Sequence, residues 1–131
     1  GILVEPDNIV TASTLGGVPA RLSRDAAVSP NAPDVRGLER PVSSSIQQNA
    51  FVQARIEQLD QMGATGMRVN QQQVNEAGQR VGINRPDLQY TLNNQRYYEE
   101  FDVPSSNRGP AHAERLIAND PNGIVNLFTV P

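Results

Sequence analysis

The stretch Arg85-Pro86-Asp87-Leu88-Gln89-Tyr90-Thr91-Leu92-Asn93-Asn94-Gln95-Arg96-Tyr97-Tyr98-Glu99-Glu100-Phe101-Asp102 decides how this chain folds. Two runs of alternating character flank Asn93-Asn94, and asparagine tolerates the positive φ that a two-residue hairpin turn demands. With those two residues as the turn, Leu92 faces Gln95, Tyr90 faces Tyr97, Gln89 faces Tyr98 and Asp87 faces Glu100. Opposed residues of an antiparallel pair point to the same face, with Cβ atoms about 4.5–5.5 Å apart. The second strand then shows Arg96, Tyr98, Glu100 and Asp102 on one face, and Tyr97, Glu99, Phe101 and Val103 on the other. Leu88, Tyr90 and Leu92 join the second, apolar face, which leaves Glu99 as its odd member, expected at the edge. Like charges opposed at 87 and 100 cost stability unless something stands between them, and a divalent cation does that well. The alternative is a solvated hairpin whose carboxylates splay into water.

Upstream, Pro86 suits the start of a strand, where a missing N–H is tolerable. Arg80-Val81-Gly82-Ile83 leads in, Glu76-Ala77-Gly78-Gln79 reads as a turn, and residues 67–75 carry a weak strand pattern. Ser43-Ser44-Ser45 offers N-cap hydroxyls, and no proline or glycine follows until Gly63, which predicts a helix. Its buried stripe is read as Ile46, Phe51, Ala54, Leu59 and Met62, widened by Val52 and Ile56. Glu57 and Asp60, three apart, are either solvated helix charges or part of an acidic site.

Downstream, residues 104–109 read as a loop and Pro110 as a first helical position, with a helix over residues 111–118. Ala113, Leu116 and Ile117 form its core face, and His112, Arg115 and Asn119 a polar stripe. Residues 124–130 are apolar enough for a strand buried on both faces. The order is helix, three strands, helix, strand: an α/β layer of αβββαβ type with a mixed sheet over residues 43–131. Residues 1–42 hold prolines at 6, 19, 30, 33 and 41 and sustain no period, although Ile2-Leu3-Val4 and Asn8-Ile9-Val10 are short strand candidates. They read as an irregular N-terminal arm or linker, separable from the fold.

The composition narrows the chemistry. At 131 residues the chain can build one sizeable core. It has no cysteine, which excludes disulfides, thiolate metal sites and cysteine nucleophiles. It also has no lysine, so every basic side chain is an arginine. A single histidine, His112, excludes a two-histidine ribonuclease mechanism. A net charge of −3 advertises no broad basic surface, so a polyanion would need a local arginine cluster or a metal. No stretch reads as a membrane span or a signal peptide.

Three readings of the polar residues compete. His112-Ala113-Glu114 matches the H-x-E of zinc deaminases, but that site also needs two cysteines, and the chain has none. General acid–base work by His112 with Tyr97, Tyr98 or Arg108 would make a metal-free ribonuclease. The third reading uses the hairpin carboxylates. Pro86-Asp87 opening one strand, with Glu100-Phe101-Asp102 closing its neighbour, resembles the PD-(D/E)XK nuclease superfamily, with aspartate where that family expects lysine. The αβββαβ order matches that superfamily's restriction-endonuclease-like core, and Glu57 falls where many members carry an acidic residue on the first helix.

A narrower resemblance covers the C-terminal two-thirds. The stretches Arg68-Val69-Asn70-Gln71-Gln72-Gln73-Val74-Asn75, Gly82-Ile83-Asn84-Arg85-Pro86-Asp87-Leu88-Gln89-Tyr90, Ser106-Asn107-Arg108-Gly109-Pro110-Ala111-His112 and Ala118-Asn119-Asp120-Pro121-Asn122-Gly123 look like the toxic C-terminal domains of bacterial polymorphic toxins of the Rhs and contact-dependent-inhibition type. Together the resemblances imply a metal-dependent endonuclease acting on DNA or tRNA in the cytoplasm of a target cell. They also imply a larger delivery protein N-terminal to this domain and a cognate immunity protein. Asp87 and Glu100 would hold Mg²⁺ or Mn²⁺, with Gln89 and Asp102 beside them and Glu57 as an extra ligand. Arg108 or Arg115 would stabilise charge on the phosphorane, or Asp102 would pair with Arg85. The non-enzymatic alternative is an inactive nuclease-fold module whose acidic face binds an arginine-rich partner.

Overall fold

In a computed structural model of the chain, which describes residues 9–13, 35–37, 46–103 and 108–130, the centre is a mixed six-stranded sheet. The elements in chain order are β1 (Ile9–Ser13), β2 (Val35–Arg36), α1 (Ile46–Met62), β3 (Thr65–Val69), β4 (Leu88–Leu92), β5 (Gln95–Asp102), α2 (Gly109–Asn119) and β6 (Ile124–Thr129). The strands lie in the order β1-β6-β5-β4-β3-β2. The β3–β4 and β4–β5 pairs are antiparallel, whereas β5–β6, β1–β6 and β2–β3 are parallel. From α1 onward the order is αβββαβ, as the sequence predicts.

The hairpin has the expected register: Leu92 pairs with Gln95, Tyr90 with Tyr97, and Gln89 with Tyr98. Asn93 and Asn94 take φ of 52° and 64°, two consecutive left-handed residues as in a type I′ turn, whose twist matches that of the flanking strands. Tyr90 stacks on Tyr97 with ring centroids 5.1 Å apart. The expected turn before the hairpin also forms, closed by a Val74–Arg80 bridge and by Asn75, whose side-chain oxygen accepts from the Gln79 N–H.

α1 covers the face of the sheet that carries Tyr90, Phe101 and Met67, with Phe51, Val52, Ile56 and Leu59 buried against it. The stripe therefore differs from the expected one. Ile46 and Met62 are exposed and Ala54 is half-buried, because the helix turns Gln48 and Arg55 toward the sheet instead. α2 covers the other face over β5 and β6, burying Ala113 and Leu116 with Tyr98, Val125 and Leu127. The segment between β3 and β4 covers the rest of that face with Gln73 and Val74.

The boundary drawn at residue 42 does not coincide with an edge of the sheet. Ile9–Ser13 pairs along its whole length with β6, and Val35-Arg36 pairs with β3, so this region supplies both outer strands. The strand candidate at Asn8-Ile9-Val10 falls on the start of β1, whereas nothing in the sequence marks β2, since a parallel strand pairs with distant residues and needs no local period. Ile2-Leu3-Val4 lies outside the described residues. Deleting residues 1–40 is therefore expected to lower the thermal midpoint by roughly 5 °C or more, because it exposes both flanks of the remaining strands. A midpoint unchanged within a few degrees in a calorimetric scan would mean that the outer strands contribute nothing and that the arm is separable after all.

Candidate active site

The acids that the hairpin register opposes do meet. Asp87 directly precedes β4, and its backbone N–H donates to Glu100 Oε2 at 2.9 Å. Its own Oδ2 accepts from the Phe101 N–H at 2.8 Å. Glu100 is buried and Asp87 half-buried. Burial pushes both carboxyls above their ordinary range; the charge of Asp102 raises Asp87 further, and the charges of Asp87 and Asp102 raise Glu100. Two acids this close and this dry share a proton rather than ionise together.

α2 closes the site from above. His112 Nδ1 lies 3.3 Å from Glu100 Oε1, and the imidazole is 41% exposed, so one ring edge meets the acid pair and the other meets solvent. The Asp102 carboxylate packs against Gly109 at the first turn of α2, so closely that any Cβ there would collide with it. That glycine lets a carboxylate sit against the positive end of the helix. Four of the residues singled out from the sequence thus gather at one end of β5: Asp87, Glu100, Asp102 and His112.

Glu57, Gln89 and Arg85 do not join them. Glu57 is exposed on α1, and α1 packs against the face that shows Tyr90 and Phe101, whereas Glu100 points to α2. Glu57 is thus removed from the ligand set by the alternation of β5 itself. Gln89 is fully buried and committed: its Oε1 accepts from the Val74 N–H and from Arg96, and its Nε2 donates to the Gln71 and Gln72 carbonyls. It anchors the β3–β4 segment to the sheet and has no capacity left for a ligand. Arg108 is exposed at the N-cap of α2, where its carbonyl accepts from the His112 N–H. Arg85 is exposed and precedes the paired residues of β4, so no Asp102–Arg85 pair forms. Residues 104–107 lie outside the described residues.

A second polar centre, on the opposite face, was not singled out. Glu99 sits in mid-sheet with no exposed surface, contrary to its expected place at the edge. Arg55 grips it in a fork, with Nε–Oε1 at 2.9 Å and Nη2–Oε2 at 2.8 Å. The Tyr90 hydroxyl at 2.5 Å and Asn126 Nδ2 at 3.0 Å complete its shell. Burial works against the Arg55 charge, but the bonds to Glu99 more than offset it and raise the guanidinium's pKa. The signal was available: Gln48, Phe51, Val52, Arg55, Ile56 and Leu59 share one helical stripe, and its one cation matches the one acid on the apolar strand face.

At the far end of β5 lies a cleft of about 440 Å³ lined by Gln95, Arg96, Asp120, Asn122 and the turn at 75–77. Two of its three charged groups are occupied: Arg96 donates to the Val74 carbonyl, and Asp120 accepts from the Tyr98 hydroxyl at 2.5 Å, while the third, Glu76, lies exposed in the turn. No protein family matches the chain, and no curated protein or solved structure is significantly similar to it. The acid pair must therefore be read from its own chemistry.

Proposed function

We propose that this protein is a nuclease that hydrolyses phosphodiester bonds in DNA or tRNA, working at the Asp87–Glu100 pair. The observation that carries the reading is the close approach of two opposed carboxyls, Asp87 and Glu100, locked by backbone N–H groups, with His112 3.3 Å from Glu100 and Asp102 against the first turn of α2. The αβββαβ order with adjacent β3, β4, β5 and β6 supports a restriction-endonuclease-like core.

The donor set suits a divalent cation in part. Among the described residues no group of three or more acidic or histidine side chains is arranged to hold a metal. Mg²⁺ or Mn²⁺ needs fewer, because such ions keep several waters and bind through one or two carboxylates. Asp87 and Glu100 would hold the ion by giving up their shared proton, with Asp102 completing the acidic rim. When bound, such an ion polarises a phosphoryl oxygen and supplies an activated water. The chain's own contribution is to hold the two carboxylates in register through the Phe101 and Asp87 N–H groups, and to keep the partly exposed His112 ring beside Glu100.

The nearness of His112 to Glu100 favours a second reading, metal-free acid–base cleavage of RNA. Purified protein incubated with plasmid DNA and total tRNA separates the two. Cleavage is expected to need Mg²⁺ or Mn²⁺ and to stop in EDTA. Cleavage of tRNA that continues in EDTA selects the metal-free reaction, and no cleavage of either substrate leaves only an inactive interaction module.

The biological setting belongs to the same proposal. The protein would be the toxic C-terminal domain of a larger bacterial delivery protein, acting in the cytoplasm of a competing cell. The producer would survive through a cognate immunity protein seated on the acid pair or its rim, where Arg108 would anchor the contact. Tyr98 is fully buried and Tyr97 stacks on Tyr90 on the opposite face, so neither is available there. Among the described residues no helix is long and apolar enough to cross a membrane.

A further inference from the structure

We infer that Arg36, Arg68 and Arg80 form a phosphate-binding strip that holds the sugar–phosphate backbone of a nucleic acid leading to the Asp87–Glu100 pair. Arg36 and Arg68 are direct partners on β2 and β3, so two guanidinium stems stand side by side on one face of the sheet. Arg80 joins them from the segment between β3 and β4, where it bridges to Val74. Like charges directly opposed across strands destabilise a sheet. Burial first, and then the charges of Arg36 and Arg80, depress the pKa of Arg68. Among the described residues no carboxylate forms an ion pair with any of the three.

An independent observation points to a missing acceptor. Arg68 Nε is the one buried side-chain nitrogen or oxygen among the described residues that has no hydrogen-bond partner. Such a donor costs stability until an acceptor arrives. A guanidinium offers only donors, in a fork that matches phosphate oxygens. In a protein with a net charge of −3, three of the eleven arginines stand together here, and among the described residues none of the three has a carboxylate partner.

The location favours nucleic acid over an acidic protein. Arg68 pairs with Gln89, which pairs with Tyr98, so Arg68 shares the α2 face of the sheet with Asp87 and Glu100. Two strand spacings and two residues along β5 separate Arg68 from Glu100, roughly 12 Å. At about 3.4 Å of axis per nucleotide of one strand, that is at least roughly three to four nucleotides, since the direct line passes beneath residues 71–74, which cover Gln89, and the backbone must run round them. Anchoring the backbone there would hold the next phosphates over acids that otherwise repel them. The ligand class rests on the phosphodiester reading above, whereas the place rests on the arginines alone.

The test is binding of short fluorescent oligonucleotides in EDTA, with single-stranded RNA, single-stranded DNA and duplex DNA as separate arms. Wild-type protein should bind at least one arm, with an affinity that falls as salt rises. The triple variant Arg36→Gln/Arg68→Gln/Arg80→Gln should lose about tenfold or more in affinity at low salt. The slope of log affinity against log salt should become shallower by about 2 on single strands, at about 0.7 per phosphate contact. Arginine-dependent binding in EDTA by a protein that cleaves neither DNA nor tRNA once Mg²⁺ or Mn²⁺ is supplied would keep the strip and sink the nuclease. Arg68→Met, which keeps the stem and removes the buried donor, should raise the melting temperature of the free protein by about 2–5 °C. Three results would each overturn the strip: no binding in any arm, an unchanged triple variant, or a fall in melting temperature for Arg68→Met. Poly-glutamate binding as tightly as the oligonucleotides and depending equally on the three arginines would overturn it too, in favour of an acidic protein.

Discussion

Asp87→Asn and Glu100→Gln are each expected to lower phosphodiester cleavage by about 10³-fold, the worth of several kcal/mol of lost charge stabilisation. Both variants should stay folded, because the amides keep an acceptor oxygen for the Phe101 and Asp87 N–H groups. The same substitutions should change how stability depends on pH. Burial, with the nearby charge of Asp102, holds both acids above their ordinary range, Asp87 at about 7, so the native state keeps protons that the unfolded chain releases near pH 4. The stability that the protonated pair contributes is full below about pH 4 and is lost as pH rises through about 7. Without metal, the wild-type melting temperature should therefore fall across that window, by an amount on the order of a few kcal/mol in stability. Asp87→Asn should flatten the fall, and Mg²⁺ should restore stability to the wild type at neutral pH but not to the variant. Asp102→Lys separates two roles for the third acid. Activity kept or raised would mean that Asp102 stands in for the usual lysine, and activity lost that it belongs to the acidic rim. Wild-type cleavage rates in both Asp87→Asn and Glu100→Gln would end the nuclease reading at this pair.

What the sequence makes legible follows from how local each cause is. The hairpin register is set by two residues that accept positive φ and by an alternation on either side, so Asp87 and Glu100 are opposed on paper as they are in space. The core face of α2 is equally local, and Ala113 and Leu116 are buried as expected. Misreadings arise where a polar side chain finds a distant partner. Arg55 lies on the inner face of α1 because Glu99, 44 residues later, is there to meet it. Gln89 looks like a metal neighbour in the alternation, yet its partners are backbone groups of an irregular segment that no period announces. The outer strands are the extreme case, since Ile9 pairs with Val125 from the other end of the chain. The opposition of Arg36 to Arg68 depends on a parallel register that only the folded sheet reveals.

Breaking the Arg55–Glu99 pair from the arginine side should be among the most damaging changes to stability. Arg55→Met leaves Glu99 with no exposed surface and no countercharge, a loss of about 3–5 kcal/mol. The guanidinium also lies 5.3 Å from the Phe128 ring centroid and donates to Gln58, so part of the loss is packing. Adding Glu99→Gln to Arg55→Met removes the stranded charge, while the amide can still bond Tyr90 and Asn126. The double variant should recover more than half of the loss, because a buried charge without its partner costs more than the pair contributes. Urea unfolding of wild type, both single variants and the double variant gives the coupling between the two sites directly. The consequence reaches the other face of the sheet: Glu99 and Glu100 are neighbours that point in opposite directions, and the fork that fixes one to α1 holds the next against His112 on α2. A folded Arg55→Met variant at low denaturant should therefore also lose cleavage, beyond what its unfolded fraction explains. A stability loss below about 1 kcal/mol, or a double variant no better than Arg55→Met alone, would show that Glu99 is satisfied by Tyr90 and Asn126 without its arginine.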